Sequence, residues 1–188
     1  MMKPNGYDEA KEERFGAFKR LPAGAYVCRI VKADETLSRN GRTMLRLGLD
    51  ITEGEYTGFF RERFDALRER NEEAKWPCMY FQLTDEDAVG RFKGFMAILK
   101  ESNPGFKEVW GDGFEESLKG KLLGGVFREE EYAGNDGKIH VSTKCAWVIP
   151  VSEVETTPVP EMKKLDTARG DQGAFGYQPP TMGGDIPF

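Results

Sequence analysis

Histidine and cysteine are the scarcest reactive residues in this chain. His140 stands alone, and Cys28, Cys78 and Cys145 lie far apart with no close pair among them. Zinc sites need clustered ligands and disulfide frameworks need matched cysteines, so the expectation is reduced thiols, no metal and no cofactor. Long apolar runs are missing too, each hydrophobic stretch being broken within a few residues, whereas a membrane span takes roughly 20. Met1 to Gly6 leads into the charged segment Asp8 to Arg14 without the apolar core of a signal peptide. The expected location is therefore the cytoplasm. No Walker loop and no GxSxG motif is present, so phosphate-loop and serine chemistry lack their parts. A two-metal nuclease would need only carboxylates. Asp34, Asp50, Glu62 and Asp65 are available, but they are scattered without a recognised spacing, and no catalytic residue is assigned.

What is present suits one folded core with appendages. The chain has 188 residues, 39% of them hydrophobic, 12% aromatic and 31% charged, a globular composition. The net charge of −5 argues at first against a nucleic-acid partner, because phosphate binding needs Lys and Arg. Its distribution argues otherwise. Acids gather in the N-terminal arm, at Glu69 to Glu73, in Glu129-Glu130-Glu131 and near the end. Arg39, Arg42, Arg46, Arg61, Arg63, Lys119, Lys121 and Lys144 fall in or beside expected strands, which allows a local basic groove.

Residues 1–20 are polar, with Phe15 and Phe18 the only large apolar side chains, and are expected to form an arm. Leu21-Pro22-Ala23-Gly24 opens a first strand, Ala25 to Asp34. Ser38-Arg39-Asn40-Gly41 carries the Asn-Gly signal of a hairpin turn. In the next run Thr43, Leu45, Leu47, Leu49 and Ile51 alternate with Met44, Arg46, Gly48 and Asp50, the period of a half-buried strand. Phe59 to Phe64 is expected to be a third strand, with Phe59, Arg61 and Arg63 on one face. Trp76 to Leu83 is a short apolar run of ambiguous type. Thr84 with Asp87 three residues on resembles a helix cap, and Val89, Phe92, Met96 and Leu99 recur at helical spacing until Asn103-Pro104-Gly105, so Asp85 to Glu101 is expected to be helix. A strand from Leu118 to Tyr132 turns at Gly134-Asn135-Asp136-Gly137 into a last strand, Lys138 to Val151. Along it Ile139, Val141, Thr143, Cys145, Trp147 and Ile149 are expected to face the core, and Lys138, His140, Ser142 and Lys144 the other way.

Three strands, a helix and two strands is the order of a five-stranded OB barrel, an all-β fold whose single helix lies between strands 3 and 4. The expected organisation is an arm at 1–20, an OB domain at 21–151 and a disordered tail at 152–188. The tail has many Pro and Gly, few large aliphatics and no periodicity.

The last residues, Asp185-Ile186-Pro187-Phe188, resemble the C-terminal tip of bacterial single-stranded-DNA-binding proteins. In such a tip Ile and the terminal Phe fill an apolar pocket, Pro limits the entropy lost on docking, and the carboxylates pair with a partner's Arg or Lys. Gly183 and Gly184 replace the further Asp usual in that family. The segments Leu21 to Tyr26, Thr52 to Gly58, Leu118-Lys119-Gly120-Lys121 and Glu130-Glu131-Tyr132 to Gly137 are similar to a family of small phage and prophage proteins of recombination and replication gene sets. The resemblance implies a phage single-strand-binding protein, at work in a bacterial host or phage-infected cell, whose tip at Asp185, Ile186, Pro187 and Phe188 recruits replication or recombination proteins. Self-association is left open.

Sequence-tolerant single-strand binding requires aromatic faces for bases and cations for the backbone. The expected DNA contacts are Phe59, Arg61 and Arg63 on strand three, Arg46 on the polar face of strand two, Arg39 and Arg42 on the first hairpin, and Lys144. Trp76 and Tyr80 are weaker candidates, since an aromatic run before a helix is more often core. A different class of function also fits: an adaptor β domain without DNA affinity that recruits, or competes for, host replication proteins.

Overall fold

The computed structural model describes residues 20–165. Its strands are β1 (Gly24–Leu37), β2 (Thr43–Ile51), β3 (Met79–Leu83), β4 (Leu122–Ala133) and β5 (Ile139–Ile149). All neighbours are antiparallel, in the order β3-β2-β1-β4-β5. The sheet is not closed by strand pairing, although Cα atoms of β3 and β5 come within 8 Å of each other. Helices are α1 (Phe59–Arg70), α2 (Val89–Ser102) and α3 (Phe114–Leu118). The protein is thus mainly a five-stranded antiparallel sheet with a few helices, and the single expected helix is joined by α1 and α3.

β2 has the expected bounds but not the expected exposure. Leu45, Leu47 and Leu49 are at most 2% exposed, and Met44 and Asp50 on the other face are buried as well. That second face is covered piecewise: Met44 packs with Leu83 and Ala88, Gly48 lies beneath Trp76, and Asp50 is capped by the start of α1. Phe127 centres the main core, with the rings of Tyr26 and Phe60 each 5.7 Å away. Burying a side chain of this kind contributes about 1.5–3 kcal/mol.

The segment expected as strand three is helix. Gly58 adopts a left-handed conformation (φ 76°) just before α1, and Asp50 Oδ1 accepts the N–H groups of Phe60 (3.0 Å) and Arg61 (3.3 Å). First-turn donors of a helix have no partner within it, and here a carboxylate ten residues upstream supplies one. The third strand is instead Met79–Leu83, within the run of ambiguous type.

α2 follows expectation closely, entered by a 3-10 turn at Glu86–Ala88. The expected Thr84–Asp87 cap is absent; no side chain caps either helical start. At its far end Asn103 both donates to the Leu122 carbonyl and accepts from the Leu122 N–H, each at 2.8 Å, so one amide side chain docks the helix onto the first residue of β4.

β4 begins at Leu122 and not at Leu118, because Leu118, fully buried, closes α3. The β4–β5 turn falls where Gly134 to Gly137 signals it, with Gly137 at φ 72° and Gly134 N–H bonding the Lys138 carbonyl at 2.8 Å. A bulge in β5 pairs Val126 with Trp147 but Phe127 with Cys145. The extra residue reverses the alternation beyond it, so Val148 enters the core, while Trp147, expected there, is half-buried outside both core clusters. Ile139, also expected on the core side, is 59% exposed, because it stands at the hairpin end of β5, beyond the reach of the core.

Beyond β5 the described chain makes a 3-10 turn at Val151–Glu153 and continues to Leu165, within the stretch expected as tail. Lys163 runs parallel to β4, donating its N–H to the Glu129 carbonyl and accepting from the Glu131 N–H, both at 2.9 Å. The arm up to residue 19 and the Asp185 to Phe188 tip lie outside the described residues. No helix among the described residues is long and apolar enough to cross a membrane.

Candidate nucleic-acid interface

β1 carries a register break between Ile30 and Lys32, leaving Val31 as the extra residue opposite β2. Bulges redirect side chains, and Val31 and Lys32 both line a groove of about 630 Å³ on the sheet. Arg46 from β2 and Met79 from β3 complete its floor, Arg61 and Phe64 form a wall from α1, Ala74, Lys75 and Trp76 come from the segment before β3, and Lys119 closes one side.

Trp76 is the best-anchored side chain in this groove. Its Nε1–H donates to the Leu49 carbonyl at 2.8 Å. Gly48 makes the fit possible: a Cβ there would lie 3.2 Å from Trp76 Cδ1 and 3.2 Å from Lys32 Cβ. The Phe64 ring stands 5.0 Å from the indole, tilted by 47°, and the Arg61 guanidinium lies over the indole at 5.3 Å.

Five cations line this volume and no carboxylate does. Arg46 reaches back to Asp34, with Nη2 at 2.6 Å and Nε at 2.8 Å from Oδ2, and Lys32 Nζ is 3.8 Å from Oδ1 of the same residue. Lys119 pairs with Glu116. Lys75 makes no ion pair among the described residues. The arrangement can do two things at once: offer ring faces to flat apolar groups, and offer cations to an anionic chain lying across them.

Of the residues expected to bind DNA, the structure gathers Arg46 and Arg61 here. Phe59, Arg61 and Arg63 do not share a strand face, because all three are on α1. Phe59 is half-buried against Tyr56 and Phe60 and borders a small pocket with Glu55 and Glu62. Arg63 is exposed and outside the groove. Arg42 is held by Asp85, Nε to Oδ2 at 2.5 Å and Nη2 to Oδ1 at 2.8 Å. That hydrogen bond raises the guanidinium further and keeps the Asp85 carboxyl below its ordinary value. Arg39 is exposed on the β1–β2 turn, and Lys144 pairs with Glu130 at 3.7 Å on the far hairpin. Trp76, a weaker candidate from sequence, stands in this groove, which also takes in Phe64, Lys32 and Lys75, none of them singled out by the sequence. The signal that finds Phe64 is its spacing from Arg61, the two being neighbours on a helix and on opposite faces of a strand; Lys32 and Lys75 carry no local signal.

Other chemistry has less to work with. Among the described residues no group of His, Cys, Asp and Glu is placed to hold a metal ion. Burial pushes the Cys28 thiol up to about 12, and those of Cys78 and Cys145 well above their ordinary range, so thiolates are disfavoured.

Residues 6–82 match the model of a family described as a protein of unknown function, DUF669. The matched segment carries every lining residue of the groove except Lys119. No curated protein matches the chain.

Proposed function

We propose that this protein binds single-stranded DNA without sequence preference and catalyses no reaction, serving phage or prophage replication or recombination inside a bacterial cell. The observation that carries this reading is the groove in which Trp76 and Phe64 stand among Lys32, Arg46, Arg61, Lys75 and Lys119. Stacking on an aromatic side chain is worth about 1–3 kcal/mol per base and tolerates any base, since each has a π face. Duplex DNA hides those faces, so the same groove favours single strands.

The topology supports an OB-type barrel as the finer description. The strand order, the approach of β3 to β5 and the position of α2 between β3 and β4 support this reading, each being compatible with an OB fold opened along one edge. The groove takes Arg46 from strand two and Met79 from strand three, beside Val31 and Lys32 of strand one, and so includes part of the face with which that fold binds oligonucleotides. Partner recruitment is assigned to Asp185, Ile186, Pro187 and Phe188, on their resemblance to the tip of the bacterial proteins.

Titrating oligo-dT and a duplex of equal length over a salt series tests the reading. The single strand is expected to bind more tightly, with log K falling against log salt at a slope on the order of −3 if most of the five cations meet phosphates. Equal affinity for the duplex overturns the stacking model. Absence of binding, with a partner still captured by the Asp185 to Phe188 segment, favours the adaptor.

A further inference from the structure

Resting on that reading, we propose that Arg61 is a specificity-determining residue: it covers Trp76 in the free protein and gives up the ring more readily to a ligand that supplies both a base and a phosphate than to one that supplies a base alone.

The geometry points to an exchange. Trp76 is fixed by its bond to the Leu49 carbonyl and by its edge on Gly48, so the indole is not the part that moves. Arg61 is exposed and lies over the ring. A base stacking on that face takes the place of the guanidinium. An exposed cation–π contact is weaker than base stacking on an aromatic side chain, so the exchange favours the base, and the released guanidinium is free to meet a backbone phosphate bidentately. An uncharged aromatic molecule must also dislodge Arg61 but offers it no new partner. The cover thus selects against flat apolar ligands and for nucleic-acid strands, a discrimination that Trp76 alone lacks.

Two thymidine oligomers of equal length separate the parts, one with ordinary phosphates and one with uncharged methylphosphonates. Arg61→Ala is expected to bind the uncharged oligomer about threefold more tightly than the wild type, the factor that removal of an exposed cation–π cover supplies. On the ordinary oligomer the same substitution is expected to reduce the salt slope by about 0.7, one phosphate contact. Opposite effects on the two probes are the signature of exchange. Circular dichroism confirms the fold, and Arg61→Gln serves as a second variant. Unchanged or weaker binding of the uncharged oligomer by both variants overturns the exchange, as does failure of every form to bind it. Failure of the wild type to bind ordinary oligo-dT at low salt overturns the single-strand reading and this inference with it.

Discussion

The groove and the β4–β5 hairpin are built from the same kinds of residue and differ in what those residues face. On the hairpin Tyr132 stacks on His140 with ring centres 5.6 Å apart, and Arg128, Lys138 and Lys144 lie nearby in sequence. Its charges are largely neutralised internally. Glu130 takes Arg128 at 2.8 Å and Lys144 at 3.7 Å, and Asp136 takes His140 at 2.8 Å. Burial resists ionisation of Glu130, yet the Arg128 hydrogen bond and the charges of Lys144, Lys163 and Arg128 together hold its carboxyl below the ordinary value. In the groove the carboxylates that pair with Arg46 and Lys119 stand outside the lining, and the cations converge on one open volume. The two regions thus differ in charge balance: in surplus over the groove, closed on itself along the hairpin.

The sharpest way to break this contrast is to remove one ring from each region. Trp76→Leu is expected to weaken oligo-dT binding by roughly 5- to 150-fold, the range that about 1–3 kcal/mol of stacking implies. Tyr132→Ala is expected to leave it unchanged. Fluorescence anisotropy, with circular dichroism to confirm folding, measures both, and equal losses would erase the distinction. Glycines extend the comparison from binding to stability. Gly48→Val forces side-chain atoms against Trp76 and Lys32 and is expected to cost about 1–3 kcal/mol in urea unfolding. At Gly134 a Cβ would meet the His140 ring at 2.4 Å, but that ring lies at the edge of an exposed hairpin and can swing aside, so Gly134→Ala is expected to cost less than Gly48→Val.

The smallest effect concerns Arg42 and Asp85, outside both regions. The hydrogen bond from Arg42 keeps the Asp85 carboxyl below its ordinary 3.8 in the folded protein. A group depressed in this way contributes stability above its unfolded value, and the contribution is lost as pH falls through the folded value. Wild-type melting temperature should therefore fall more steeply below about pH 4 than that of Arg42→Gln. The same variant should bind oligo-dT as the wild type does.

Much of the sheet was legible because its signals are local. The bounds of β2 follow from alternation, the β4–β5 turn from Gly134 to Gly137, and α2 from its apolar spacing and Asn103. What was not legible depends on residues distant in sequence. Phe59, Phe60 and Phe64 read as a strand because aromatic residues favour strands; helix wins because Asp50 caps it from β2. Trp147 read as core because alternation was carried through a bulge that no local signal marks. Trp76 reads as a weaker candidate because its surroundings exist only once Gly48, the pairing of β1 with β2 and α1 are assembled around it.

The cap from Asp50 also bears on the order in which the chain acquires structure. A twelve-residue helix is marginal in isolation, and α1 draws its first-turn acceptor from the end of β2. β1 and β2 can pair through a short turn before α1 has any reason to be helical. The wall bearing Arg61 and Phe64 is therefore expected to condense after the hairpin beneath it, and amide hydrogen exchange is expected to open α1 more readily than β2.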